Sequence, residues 1–64
     1  MRLVAFNRKT FDDSYEGVVY VNPKNITMVL DKGSYSTICF DDINQYVDVK
    51  DNAETIRDIL YRYG

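Results

Sequence analysis

Two apolar runs separated by a proline-containing break constrain the fold more than any other feature of this chain. Residues 18–21 and residues 26–30 are rich in β-branched and other apolar side chains, and Asn22-Pro23-Lys24-Asn25 lies between them. Proline has no N–H for a strand ladder and forces the preceding residue into extended or turn geometry. The pattern therefore predicts two strands that meet at a corner.

The remaining strand signals flank this corner. Residues 3–7 alternate in a way that places Leu3, Ala5 and Asn7 on one face of a first strand. The polar stretch from residue 8 to residue 17 predicts a long hairpin tip or loop.

A hairpin and a last strand complete the predicted sheet. Residues 31–34 contain a glycine suited to a turn, and strand formers follow in residues 35–40, so a hairpin is predicted here. Residues 46–49 predict a short fifth strand, and its length favours a position at the edge of the sheet, open to strand addition.

The C-terminal segment has the pattern of an amphipathic helix. Asp51 followed by Glu54 has the form of a capping box, which predicts a helix that starts at Asp51. An apolar stripe follows at helical spacing, and it is expected to pack on the sheet with Tyr63 in the core. The members of this stripe are Ala53, Ile56, Leu60 and Tyr63.

Length and composition limit the class of protein. The 64 residues make one small domain, 45% of them are hydrophobic and 14% are aromatic, so the chain is expected to fold. We predict an α+β fold, with a four- or five-stranded, mainly antiparallel sheet and one C-terminal helix packed on a face. Self-association into a homo-oligomer would add stability to so small a domain.

Charge and cysteine content narrow the partners and the compartment. The net charge is −2 and the eight basic residues are spread along the chain, which argues against nucleic acid. The single Cys39 cannot form an internal disulfide, and the apolar N-terminal run is too short for a signal peptide or a membrane span. A cytoplasmic protein that does not bind membranes is expected.

Several segments resemble those of a known family. The run Val-Tyr-Val-Asn-Pro-Lys-Asn-Ile at residues 19–26, the strand at 36–40 and Val-Asp-Val-Lys at 47–50, with a closing helix, resemble the small FlbD/SwrD-type proteins. Members share a first strand, a Val-Asn-Pro corner, two later strands and a terminal helix. The resemblance implies a role in flagellar motor function. The chain differs from the family pattern in the longer segment 7–17, and the resemblance assigns no functional residue.

Catalytic and metal-binding patterns are missing from the sequence. There is no histidine, no glycine-rich phosphate loop and no pair of cysteines. The acidic pairs Asp12-Asp13 and Asp41-Asp42 lack the spaced alternation of a calcium loop, and turn chemistry accounts for them. No enzymatic activity, no metal and no cofactor are predicted.

Tyrosines and an acidic segment are the best candidates for a binding site. Tyrosine is a frequent interface anchor, and four of the six lie in polar surroundings that favour exposure. The predicted partner-binding residues are Asp12, Asp13, Tyr15, Tyr35, Tyr46 and Tyr61.

The predicted function is therefore binding rather than catalysis. We expect a small protein-binding module, encoded by a phage or mobile element, that inhibits or regulates a host protein. A flagellar motility accessory factor is the alternative that the resemblance implies. A nucleic-acid-binding module is the second alternative.

Overall fold

The computed structural model describes residues 2–10, 17–42 and 44–63. It contains five strands, a short 3-10 helix and one C-terminal α-helix, which confirms the predicted α+β class. The strands are β1 (Val4–Arg8), β2 (Gly17–Val21), β3 (Ile26–Asp31), β4 (Ser36–Phe40) and β5 (Tyr46–Val49); the 3-10 helix is Pro23–Asn25 and α1 is Ala53–Tyr63.

The five strands form one antiparallel sheet in the order β2-β1-β5-β4-β3. The predicted edge position of β5 is wrong, because β5 lies between β1 and β4. The backbone N–H of Lys9 donates to the carbonyl of Asp48 at 2.9 Å, and the N–H of Lys50 donates to the carbonyl of Asn7 at 2.7 Å. The two edges are instead β2 and β3, the strands on either side of the proline corner.

The proline corner is built as predicted. The side-chain oxygen of Asn22 accepts a hydrogen bond from the N–H of Lys24 at 3.1 Å, and the Asn22 carbonyl accepts one from the N–H of Asn25 at 3.0 Å. Pro23 is buried at the start of the 3-10 helix. Its ring fits this first position because the missing N–H would have no partner there.

The hairpin between β3 and β4 is also confirmed. Gly33 has a φ of +89°, and its N–H donates to a carboxylate oxygen of Asp31 at 2.9 Å. The Lys32 N–H donates to the carbonyl of Tyr35 at 3.0 Å and closes the turn. A positive φ is a conformation that glycine adopts without the steric cost of a Cβ atom.

One face of the sheet, called the inner face, forms the core against α1. Alternation along the strands directs alternate side chains to this face. The fully or nearly fully buried apolar residues are Phe6, Val21, Ile38 and Val49 from the sheet and Ile56 from the helix.

The start of α1 differs from the prediction. The helix begins at Ala53, and Asn52 caps it, because its side-chain oxygen accepts a hydrogen bond from the N–H of Thr55 at 2.7 Å. The carboxylate of Asp51 instead accepts a hydrogen bond from the N–H of Asn7 at 2.8 Å.

The end of α1 also differs. Tyr63 was predicted in the core, but 38% of its surface is exposed and its ring lies 5.2 Å from the guanidinium carbon of Arg2. The residue sits in the last turn, whereas the buried contact of the helix is at Ile56. In the part of the chain that the structure describes, no helix has the length and apolar composition needed to cross a bilayer.

Candidate protein-binding surface

The second face of the sheet, called the outer face, has no layer packed over it among the described residues. Strand pairing determines which side chains lie on this face. Ala5 lies opposite Tyr20, and Cys39 lies opposite both Met28 and Tyr46. The side chains on this face are Ala5, Asn7, Val18, Tyr20, Met28, Leu30, Thr37, Cys39, Tyr46 and Asp48.

Large apolar groups are concentrated on the outer face. Val18, Tyr20, Met28 and Tyr46 lie on it, and between 51% and 66% of each residue's surface is exposed. Met28 and Tyr46 both lie opposite Cys39 and are neighbours, whereas Val18 and Tyr20 lie on β2, on the far side of β1. Single exposed apolar residues are ordinary in folded proteins, whereas neighbouring ones indicate a contact site. Tyrosine and methionine are both enriched at protein–protein interfaces.

A shallow depression of about 330 Å³ occupies the β4–β5 part of the outer face. Its middle is polar, because the hydroxyl of Thr37 donates to a carboxylate oxygen of Asp48 at 2.6 Å. Tyr35 lies at its rim, and the ammonium of Lys9 is 5.1 Å from the centre of that ring. The depression is lined by Leu30, Lys32, Tyr35, Thr37, Cys39, Tyr46 and Asp48.

The polar and thiol groups of the depression are held by their strand neighbours. The carboxylate of Asp48 is engaged by Thr37, and the free thiol of Cys39 is half-buried between strand neighbours. A nucleophile needs a base within hydrogen-bonding reach, and none is bonded to Cys39 in the described structure. Among the described residues, no group of three or more His, Cys, Asp or Glu side chains is placed to hold a metal ion.

The predicted site residues do not all come together. Tyr35 and Tyr46 line the same depression, whereas Tyr61 lies on α1, on the inner-face side, with 94% of its surface exposed. The remaining predicted site residues, Asp12, Asp13 and Tyr15, lie outside the described residues.

Sequence reasoning left two members of the surface unassigned. Tyr20 alternates with valines that could have faced either side, and only its pairing with Ala5 places it on the outer face. Met28 follows a shift in the β3–β4 register, where the Thr27 hydroxyl donates to the carbonyls of Cys39 and Phe40 at 3.3 and 3.1 Å. Such a shift reverses the face that an alternation pattern predicts.

The acidic pair at the end of β4 has the structure of a turn. A carboxylate oxygen of Asp42 accepts a hydrogen bond from the N–H of Asn44 at 2.9 Å, and its carbonyl accepts one from the N–H of Gln45 at 2.8 Å. These bonds are what the turn interpretation of the sequence predicts.

No protein-family model, curated protein or solved structure matches this chain. The geometry of its surfaces is therefore the basis for proposing a function.

Proposed function

We propose that this chain is a non-catalytic protein-binding module that inhibits or regulates a host protein in the cytoplasm through its outer face. One observation carries the proposal: Met28 and Tyr46 are exposed neighbours on a sheet face that no described residue covers. Burial of apolar area is the main driving force for protein association. A partner that covers such a face therefore lowers the free energy of the system.

The charge around the outer face indicates the kind of partner. Lys9 and Lys32 lie beside the aromatic rings of the depression, whereas Asp48 already bonds Thr37. Electrostatic complementarity favours a partner whose contact surface is apolar at its centre and acidic at its margin. The tyrosines would then act as anchors, with their hydroxyls still able to reach water or a polar group.

The same lysines favour single-stranded nucleic acid as a second candidate. Aromatic side chains on a sheet can stack bases when basic groups lie beside them. Binding of this kind weakens steeply with salt, whereas an interface centred on apolar contacts responds weakly. A fluorescence titration with a labelled oligonucleotide at two salt concentrations tests this candidate directly.

The flagellar role implied by the FlbD/SwrD resemblance remains a further proposal. It predicts that deletion of the gene impairs swimming or swarming, and that flagellar components appear among the captured proteins. The outer face would serve as the contact surface in that case also.

The test compares three immobilised proteins as baits for host lysate. They are the unaltered chain, the variant Tyr46→Lys on the outer face and the variant Tyr61→Lys on α1. Tyr61 serves as the control because it is also an exposed tyrosine. Each partner captured by the unaltered chain is then purified and titrated directly. We expect Tyr46→Lys to weaken its binding at least tenfold and Tyr61→Lys to leave it unchanged, since only the first disturbs the outer face.

Two results would contradict the proposal. Equal binding by all three proteins would show that the outer face is not the contact surface. The second result is that no partner is captured and that the unaltered chain is a homo-oligomer which Tyr46→Lys converts to a monomer. This would show that a second copy of the chain covers the outer face. Sedimentation velocity on the same preparations measures the oligomeric state, and circular dichroism checks that each variant is folded.

A further inference from the structure

A groove of about 510 Å³, called the edge groove, lies beside β2, an end strand of the sheet, and its lining includes neither Met28 nor Tyr46 of the outer face. It touches Val19, Tyr20 and Val21, three successive residues of one strand. Register places Val19 and Val21 on the inner face and Tyr20 on the outer face, so the groove borders this end strand and opens toward the core. The opposite wall comes from the end of β4 and the start of β5; the lining there is Asn25, Phe40, Asp41, Asp42, Gln45 and Val47.

The apolar part of this edge groove is continuous with the core. Val21 is buried, and Val19, Phe40 and Val47 are half-buried and pack against the core cluster. A floor of this kind is held in place by the packing behind it and offers apolar area to a bound side chain.

The backbone of β2 supplies the second element of a binding site. β2 is the first strand in the sheet order, and among the described residues it pairs with β1 alone, through residues such as Val19 opposite Phe6. About half of the N–H and C=O groups of an edge strand face away from its one neighbour and can pair with an added strand. Three residues of β2 span about 10 Å, which matches a short extended peptide.

The rim of the edge groove is acidic. Asp41 and Asp42 are exposed and line it, and within the described structure no ion pair joins either carboxylate to a cation. The side chain of Asp42 bonds the Asn44 N–H, which holds its carboxylate in a fixed turn. Their negative charge favours a ligand that carries lysine or arginine.

We propose that the edge groove binds an extended segment of a partner protein, which adds to β2 as a sixth strand. Its apolar side chain enters the floor formed by Val19, Phe40 and Val47, and a flanking lysine or arginine meets Asp41 and Asp42. Alternate side chains of an added strand face the same way, so the preferred segment alternates apolar and polar residues between basic ends. This site borders the outer face at Tyr20 but includes neither Met28 nor Tyr46, so it does not depend on the function proposed for those two residues.

The test uses the full chain and a labelled probe peptide. The probe is an acetylated, fluorescein-labelled Lys-Val-Thr-Val-Lys amide, and fluorescence anisotropy measures its affinity. The first control peptide has the same sequence with both valines N-methylated, which removes two N–H donors. We expect that peptide to bind at least tenfold more weakly, because strand addition requires the backbone hydrogen bonds.

Protein variants matched in charge test the acidic rim. Asp41→Asn with Asp42→Asn neutralises the rim and keeps a side-chain oxygen for the turn at Asn44. Glu54→Gln with Asp58→Asn removes the same charge from exposed positions on α1. We expect the rim variant to weaken binding of the probe about three- to tenfold and the helix variant to leave it unchanged.

Amide chemical shifts locate the bound peptide. The proposal predicts shifts at residues 19–21 and at Gln45, with little change at Met28 and Tyr46. It is overturned if the N-methylated peptide binds as well as the probe, if both charge variants behave alike, or if the shifts centre on Met28 and Tyr46. The absence of saturable binding up to ~1 mM peptide would also overturn it. None of these results bears on the Tyr46→Lys experiment, so the two proposals fail separately.

Discussion

The carboxylate of Asp51 accepts a hydrogen bond from the backbone N–H of Asn7, 44 positions earlier in the chain, at 2.8 Å. The carbonyl of Asn7 accepts a hydrogen bond from the N–H of Lys50 at 2.7 Å. Both backbone groups of Asn7 therefore bind the segment that leads into α1. This connection joins the first strand to the last strand and the helix.

Removal of the Asp51 carboxylate should loosen this connection. We expect Asp51→Ala to lower the free energy of unfolding by about 1 kcal/mol, because the Asn7 N–H loses its acceptor but is partly exposed to water. Urea denaturation measures the change. Asp51→Asn keeps an oxygen acceptor and should lose less, and an equal loss in both variants would contradict this explanation.

The buried hydroxyl of Ser36 should contribute nothing to stability. Ser36 is fully buried, and its hydroxyl oxygen has no hydrogen-bond partner among the described residues. A buried polar group without a partner costs free energy, so Ser36→Ala is expected to leave stability unchanged or raise it by up to about 1 kcal/mol. Thermal unfolding followed by circular dichroism measures the effect.

The neighbouring Thr37 provides the contrast. Its hydroxyl bonds Asp48 at 2.6 Å, so Thr37→Val should destabilise the fold by about 1–2 kcal/mol. A loss of stability in Ser36→Ala as large as that in Thr37→Val would mean that the Ser36 hydroxyl has a partner in solution.

Ile56 is the residue through which α1 is anchored. It is the fully buried residue of the helix and packs with Phe6, Ile38 and Val49. We expect Ile56→Ala to cost about 2–5 kcal/mol, which is a large fraction of the stability of a domain of this size. Far-ultraviolet circular dichroism and urea denaturation should show a partly or wholly unfolded chain at 25 °C. Thr55→Ala, in an exposed position of the same helix, should remain folded.

The β3–β4 turn depends on the backbone of Gly33. A Cβ atom there would meet no other atom within 4 Å, so the cost of Gly33→Ala comes from its φ of +89° alone. We expect a loss of about 1 kcal/mol. Gly33→Asn should lose less, because asparagine tolerates a positive φ better than alanine. Equal losses for the two substitutions would point to a side-chain clash instead.

Local features were predictable from the sequence because neighbouring residues determine them. The corner at Asn22 and Pro23, the glycine turn at Gly33 and the presence of five strands and a terminal helix all follow from backbone geometry and periodicity. The faces of β1 followed from alternation as well, since Phe6 is buried while Ala5 and Asn7 are exposed.

Features that depend on long-range contacts were not predictable in the same way. The short length of β5 suggested a position at the edge of the sheet. In the structure β1 pairs with the other side of β5, so β5 lies in the interior of the sheet. Asp51 had the pattern of a helix cap, but its carboxylate accepts a hydrogen bond from the N–H of Asn7. Asn52 caps the helix instead. Tyr63 had the spacing of a core residue, but its position in the last turn left it against Arg2.

The candidate surfaces divide along the same line. Composition and tyrosine content led to the hypothesis of binding rather than catalysis, because residue types limit the available chemistry. Only the tertiary structure decided that Tyr35 and Tyr46 line one depression while Tyr61 lies on the helix, and that β2 is an end strand beside two aspartates. The physical reason is that a sequence specifies periodicity residue by residue, whereas strand order and register emerge from contacts between distant segments.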